Sequence, residues 1–227
     1  MKRVCVIPAR GGSKRIPRKN VRPFAGQPMI HYAIANARNA RLFDRIVIST
    51  DDETVAEVVG KIWAEVLWRP AELADDQTGT QAVMKHALGE IGGDLACCLY
   101  ATTPMLSPAY IRRGETVLRE SGKPYAFTVS RFAHAPQRAL GMDHHGVIVQ
   151  AHPENANVNS QDLEPRFFDA GGFYWGHVSA FLAGVPLYAN AVGVEIPIWR
   201  AIDINENEDW QFAELVFRGL QTSEVGE

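Results

Sequence analysis

Arg10, Lys14, Arg15, Arg18, Lys19 and Arg22 place six basic side chains within thirteen residues, in and just after the stretch Pro8-Ala9-Arg10-Gly11-Gly12-Ser13-Lys14-Arg15-Ile16-Pro17-Arg18-Lys19-Asn20. No Asp or Glu precedes Asp44, so the sequence nearby offers no counter-charge. Like charges at this density repel one another unless an anion sits among them, and a polyphosphate meets that need. Gly11 and Gly12 leave the backbone open to close approach. Two common phosphate loops are excluded by spacing. The P-loop needs a glycine directly before Lys and Ser/Thr, and residues 15–18 supply none. The dinucleotide fingerprint needs three spaced glycines, where only Gly11 and Gly12 are present. A solvated charged face and a flexible RNA-binding segment are the competing readings of such a run. RNA-binding segments are repetitive, whereas this one is a single copy wedged between a strand and a helix in a chain of net charge −3.

Other chemistry-bearing residues lie where strands should end. Ala101-Thr102-Thr103-Pro104 follows the apolar run from Leu95 to Tyr100, and ligands of open α/β sheets bind at the carboxyl ends of strands. Asp75-Asp76-Gln77-Thr78-Gly79-Thr80 is a polar loop ahead of a helical pattern. Asp169-Ala170-Gly171-Gly172-Phe173-Tyr174-Trp175-Gly176 combines glycines with aromatics that serve as core, as stacking surface or as both, core being the simpler role for Phe173 and Trp175. In Ile202-Asp203-Ile204-Asn205 the alternation puts Asp203 and Asn205 on one face. Four of the seven histidines fall in residues 131–168, but adjacent His144 and His145 in a turn point different ways and no Cys or carboxylate cluster surrounds them. Cys5, Cys97 and Cys98 sit in apolar runs, which predicts buried, inert thiols rather than a disulfide framework.

The elements that must position these residues follow from periodicity. Strands are expected at 4–7, 45–50, 65–68, 95–100, 126–129, 169–176 and 192–197. Helices are expected at 28–40, 53–62, 81–91, 108–120, 178–182 and 208–220, with Asp51-Asp52 capping the second. Alternating strands and helices predict an α/β fold with a mostly parallel sheet covered on both faces. Residues 131–168 interrupt the pattern and predict an excursion, a β arm that packs on a partner subunit. The final seven residues read as a frayed end. A length of 227 residues suits a single domain. No apolar run is long enough for a membrane span, Met1-Lys2-Arg3 leads directly into the first strand without room for a signal peptide, and the acidic balance disfavours non-specific nucleic-acid binding. A cytoplasmic protein is the resulting expectation.

The basic stretch resembles the N-terminal motif of the CMP-sugar-acid synthetases, the cytidylyltransferase family that activates N-acetylneuraminate and related acids. Phe43-Asp44-Arg45-Ile46-Val47-Ile48-Ser49-Thr50-Asp51, Arg69-Pro70-Ala71-Glu72-Leu73, Thr102-Thr103-Pro104 and Ile202-Asp203-Ile204 extend the likeness along nearly the whole chain. Ser160-Gln161-Asp162-Leu163-Glu164-Pro165, the Asp169–Gly176 segment and Cys97-Cys98-Leu99-Tyr100-Ala101-Thr102 resemble its pseudaminic acid branch. The resemblance implies a Rossmann-like nucleotidyltransferase, a homodimer with an exchanged arm, and transfer of CMP from CTP to a nonulosonic acid with Mg²⁺. By matched position it puts Arg10 and Lys19 on the triphosphate and Ala9, Gly11, Gly12, Asn20 and Thr78 along the nucleotide. Arg69 is set at the cytosine or the phosphates, and Tyr100, Thr102, Gln161, Asp169, Phe173 and Tyr174 at the sugar. Asp203 becomes a metal ligand with Asn205 beside it.

Two positions depart from the family's sialate members and a third from its pseudaminate type. Asn205 stands where a second aspartate is usual, which removes a charge and leaves Glu206 as a neighbour able to assist. Tyr100 replaces a glutamine, and Asn159 replaces an arginine often found before Ser-Gln-Asp in the pseudaminate type. No general base is evident; for Asp203 the metal role is the simpler one. N-acetylneuraminate, legionaminate and Kdo are the rival sugars, and a catalytically silent nucleotide- or sugar-binding homologue is the rival of a different class.

Overall fold

The computed structural model describes residues 1–62 and 64–222. The chain forms β1 (Arg3–Pro8), β2 (Pro23–Phe24), β3 (Gln27–Pro28), α1 (Met29–Ala40), β4 (Arg45–Thr50), α2 (Glu53–Lys61), β5 (Glu65–Trp68), α3 (Thr80–Ile91) and β6 (Leu95–Leu99). There follow α4 (Pro108–Ser121), β7 (Tyr125–Arg131), β8 (Leu140–Met142), β9 (Ile148–Gln150), β10 (Phe167–His177), α5 (Val178–Ala183), β11 (Val192–Glu195) and α6 (Asn207–Thr222). Most of the expected elements are present within a few residues. The alternating stretch Ile202–Asn205 is irregular. Beyond Thr222, the segment expected to fray lies outside the described residues.

Seven strands make one sheet in the order β11-β7-β10-β6-β1-β4-β5. β1, β4, β5 and β6 are mutually parallel, with Cys5 opposite Ile46 on one side and Cys97 on the other. The sheet is mixed, because β10 runs antiparallel to both β6 and β7. Strand alternation divides the core. Cys5, Ile7, Cys97 and Leu99 face α1, α2 and α4, whereas Val4, Val6, Ala96 and Cys98 face α3 and α5. All three cysteines are buried and free. Local chemistry fixes the helix starts: Val55 N–H donates to Asp52 Oδ1 at 2.9 Å, and Ser107 caps α4 ahead of Pro108.

Two irregular segments leave this frame and differ in how they are held. The basic loop after β1 is pinned by Ile16, which is fully buried with Phe24, Met29, Ile204, Trp210 and Phe217 beneath α6. Burying one such side chain contributes about 1.5–3 kcal/mol. The segment between β7 and β10 carries the β8–β9 hairpin, in which Leu140 pairs with Gln150 and Met142 with Ile148. Leu140, Met142, Val147, Ile148 and Val149 are all exposed there.

Candidate active site

Parallel strands end at a common edge, and this topology brings distant motifs to one place. The basic loop leaves β1, Asp51-Asp52 leave β4, Arg69 follows β5 and Thr102 follows β6. Between them lies a cleft of about 520 Å³, lined by Arg10, Lys14, Arg15, Lys19 and Arg69 and by Thr78, Thr80, Tyr100 and Thr102. Asn20 and Asn205 also line it.

The loop is set by polar contacts as well as by Ile16. Asn20 Nδ2 donates to the Arg10 carbonyl at 2.9 Å, and Gly11 N–H to Asp51 Oδ1 at 3.1 Å. A Cβ on Gly11 would fall 2.2 Å from Asp52 Oδ2, so glycine is required by this close approach. Around Gly12 the space is open.

The cations differ in how they are held. Lys19 Nζ donates to the Ile204 carbonyl at 2.6 Å, and Arg15 Nη2 to Asn205 Oδ1 at 2.6 Å. Arg10 Nη2 and Lys14 Nζ share Asp76, at 2.7 Å to Oδ1 and 2.6 Å to Oδ2. Arg69 is only 7% exposed; its guanidinium donates to Ser49 Oγ at 3.2 Å and to the Ser49 carbonyl at 2.8 Å, and among the described residues it has no ion pair. Burial lowers the pKa of Lys19, with nearby Asp203 opposing that shift, and burial likewise lowers that of Arg69. Cations held against neutral acceptors and partly dehydrated gain most from a polyanion.

The opposite wall is built from hydroxyls. Thr80 Oγ1 and Tyr100 Oη share a hydrogen bond at 2.5 Å, and burial pushes the Tyr100 phenol up to about 12. The Tyr100 and Tyr174 rings lie 5.5 Å apart. Tyr174 and Tyr188 both donate to Asp169 Oδ2, at 2.6 and 2.7 Å, while Gly171 N–H donates to Oδ1 at 2.9 Å. Burial raises the Tyr174 pKa strongly, so all of these phenols remain protonated donors at neutral pH. The register of β10 shifts between Asp169 and Tyr174, and Gly171, at φ 58°, supplies the left-handed turn that this irregularity uses.

Several expected site residues lie elsewhere. Ala9 is fully buried in the core under the sheet edge, so only its backbone faces upward. The Phe173 side chain is also fully buried and offers no sugar-facing surface; it packs on α4, where a Cβ at Gly114 would lie 2.5 Å from its ring. Alternation along β10 sends Phe173 and Trp175 to the α4 face and Tyr174 to the other. Gln161 lines a separate cavity of about 440 Å³ at the root of the β7–β10 excursion, beside Ser130, Arg131, Arg166 and Glu195. Lys14 and Arg15 of the basic run, and Asp76 and Thr80 of the polar loop, also line the cleft, although the family resemblance gives them no role of their own. The charge run held the signal for the first two, but nothing local marked Asp76.

Asp203 is exposed at the cleft margin, and Asn205 Nδ2 donates to its Oδ2 at 2.5 Å. Asp209 accepts the N–H groups of Asn205 and Glu206 at 2.9 and 2.8 Å and so braces this turn. Among the described residues no three His, Cys, Asp or Glu side chains converge as a metal cage. One free carboxylate beside an amide nonetheless suits a hard cation that takes its remaining oxygens from substrate and water, as Mg²⁺ commonly does.

A nucleotidyltransferase-type sheet, with a cationic cleft at its strand ends, defines the class of protein, and the comparisons agree. Residues 4–175 match the cytidylyltransferase family, and the chain belongs to that family. It is 34% identical over 225 residues to a pseudaminic acid cytidylyltransferase of Campylobacter jejuni, covering 96% of this chain and 97% of that protein. It is 30% identical over 228 residues to a CMP-N,N'-diacetyllegionaminic acid synthase of Legionella pneumophila, covering 94% and 95%. A solved CMP:2-keto-3-deoxy-manno-octonic acid synthetase complexed with CTP superposes with a TM-score of 0.74 at 15% identity, covering 97% of this chain and 100% of that one, a likeness of fold.

Proposed function

We propose that the chain transfers CMP from CTP to the anomeric hydroxyl of a nonulosonic acid, foremost pseudaminic acid, releasing pyrophosphate. The observation that carries this reading is one cleft lined both by five cations, Arg10, Lys14, Arg15, Lys19 and Arg69, and by the hydroxyls of Thr78, Thr80, Tyr100 and Thr102. The 34% identity to the Campylobacter enzyme along almost the full chain selects the sugar.

In this reading Arg10, Lys14 and Lys19 neutralise the triphosphate, and Arg69 holds the nucleotide end from below. Ala9, Gly11 and Gly12 contribute backbone, and Asn20 and Thr78 complete the nucleotide side. Tyr100, Thr102, Tyr174 and Asp169 orient the sugar acid. The hydroxyl oxygen forms a bond to the α-phosphorus as the bond to the β-phosphate bridging oxygen breaks, pyrophosphate leaves with that oxygen, and the hydroxyl proton passes to solvent water. Both reactants are anionic, so the chain's main contribution is positioning and charge neutralisation. Mg²⁺, held at Asp203 with Asn205 alongside, would neutralise developing phosphate charge.

We extend the proposal to a cytoplasmic homodimer joined through the β8–β9 hairpin, whose Leu140, Met142 and Ile148 are left exposed by the described residues. Met142→Glu is expected to yield a monomer by light scattering; a dimer unchanged in mass would overturn that part. Among the described residues no helix is long and apolar enough to cross a membrane.

A second reading, a silent binding homologue, is favoured by one observation: Asn205 turns its carbonyl to Arg15 rather than to Asp203. Incubation with CTP, pseudaminic acid and Mg²⁺ separates the two. Mass spectrometry is expected to find a CMP-linked sugar acid; intact CTP alongside folded, CTP-binding protein would support the silent homologue.

A further inference from the structure

Among the described residues, Arg10 and Lys14 are the only cations of the cleft held by a short ion pair, and one carboxylate serves both. Asp76 Oδ1 lies 2.7 Å from Arg10 Nη2, and Oδ2 lies 2.6 Å from Lys14 Nζ. Two other cations rest on neutral acceptors: Lys19 on the Ile204 carbonyl and Arg69 on Ser49. Arg15 leans chiefly on Asn205, with Glu206 no closer than 3.7 Å. The two oxygens of Asp76 thus span two cations as two oxygens of a phosphate would.

The backbone that carries Asp76 is fixed independently of that contact. Asp75 Oδ1 accepts the Gln77 N–H at 3.0 Å, the Thr78 N–H at 2.7 Å and the Thr78 hydroxyl at 2.7 Å. Among the described residues the Asp76 carboxylate makes no other hydrogen bond. Its side chain can therefore rotate away while the loop stays in place. The pair is also partly open, with side-chain exposures of 33% for Arg10, 81% for Lys14 and 39% for Asp76. Ion pairs this exposed are weak individually, and a polyphosphate bringing several charges outcompetes a single carboxylate. Lys14 first, and then Arg10, hold the Asp76 carboxyl below the usual range, so it stays ionised and able to compete at neutral pH.

We infer that Asp76 is an internal stand-in for a phosphate, which a polyphosphate displaces from Arg10 and Lys14 and which returns to them as pyrophosphate leaves. This rests on the CTP-dependent reading above. The consequence is a faster exit for product, because the departing anion does not leave two cations unpaired. Removing the carboxylate should tighten binding of any ligand that reaches Arg10 and Lys14 and leave cytidine, which has no phosphate, unaffected.

The test is calorimetric titration of pyrophosphate, CTP and cytidine into wild type, Asp76→Asn and Asp76→Ala, in EDTA so that no metal contributes. The dissociation constants for pyrophosphate and CTP are expected to fall about three- to tenfold in both variants, the range two weak exposed pairs can supply, with cytidine unchanged. Steady-state inhibition by pyrophosphate should strengthen in parallel. Pyrophosphate binding that is unchanged or weaker in both variants, from protein with wild-type melting and from a wild type that binds CTP, would overturn the inference alone. A wild type that binds neither CTP nor pyrophosphate would overturn the functional reading together with it.

Discussion

Along one side of the cleft Arg10, Lys14, Lys19 and Arg69 present charge, three of them on backbone that is irregular and tied down by Ile16 and Asn20. Along the other, Thr80 and Tyr100 present hydroxyls on α3 and just after β6, and Tyr174, packed against Tyr100, joins Tyr188 in enclosing the Asp169 carboxylate. The cationic wall has more positive charge than its own acceptors neutralise, so it is completed by an anionic ligand. The hydroxyl wall is already satisfied and selects by shape and hydrogen-bond pattern. The difference teaches that charge supplies attraction here and the phenols supply discrimination, and variants on the two sides should fail differently.

The largest effect is expected from Lys19→Ala and Asp203→Ala, each lowering kcat by about 100- to 1000-fold, the scale of losing one electrostatic contact in a transition state, with the melting temperature little changed. Wild-type turnover in either would break the division of labour. Tyr100→Phe should raise the KM for the sugar acid about tenfold, the scale of one lost hydrogen bond, and leave the KM for CTP alone. An equal change in both would show that the walls are not separate.

A pH series sharpens the same contrast. The folded-state pKa of Lys19 is lowered by burial, so its positive charge is lost earlier than an ordinary lysine's as pH rises. CTP affinity should therefore weaken toward alkaline pH, and Lys19→Arg should flatten that decline, whereas the Tyr100 phenol, pushed up to about 12, stays protonated throughout. CTP affinity flat to pH 10 would count against Lys19 on the triphosphate. The smallest expected effect on activity is that of Gly114→Ala, behind both walls. Its new Cβ would meet Phe173 at 2.5 Å and Trp175 at 2.7 Å, costing about 1–3 kcal/mol of stability while activity per folded molecule holds.

Much of this was legible in the chain. Arg45–Thr50 and Glu65–Trp68 are strands to the residue, because short apolar runs bounded by Asp51 and Pro70 leave little freedom. The basic loop and the turn at Thr102 could be assigned to one cleft because parallel strands end together, whereas Arg69 was placed at the nucleotide only by the family resemblance. What escaped depends on long-range contacts. β10 is antiparallel because the chain re-enters the sheet from the β7–β10 excursion, and strand direction leaves no mark on side-chain pattern. Ile16 and Asp76 matter through residues far away in sequence, Trp210 for one and Arg10 for the other. Phe173 and Tyr174 are neighbours with opposite fates, and only the register of β10 with β6 assigns which faces the core.

The most direct test is the specificity constant measured by Mg²⁺-dependent pyrophosphate release, across CTP, UTP, ATP and GTP against pseudaminic, N-acetylneuraminic, legionaminic and Kdo acids. The account predicts that CTP with pseudaminic acid exceeds every other combination. A higher value for another acid with CTP would contradict the sugar assignment, and no release in any combination from folded protein that binds CTP would contradict the cytidylyl-transfer reading itself.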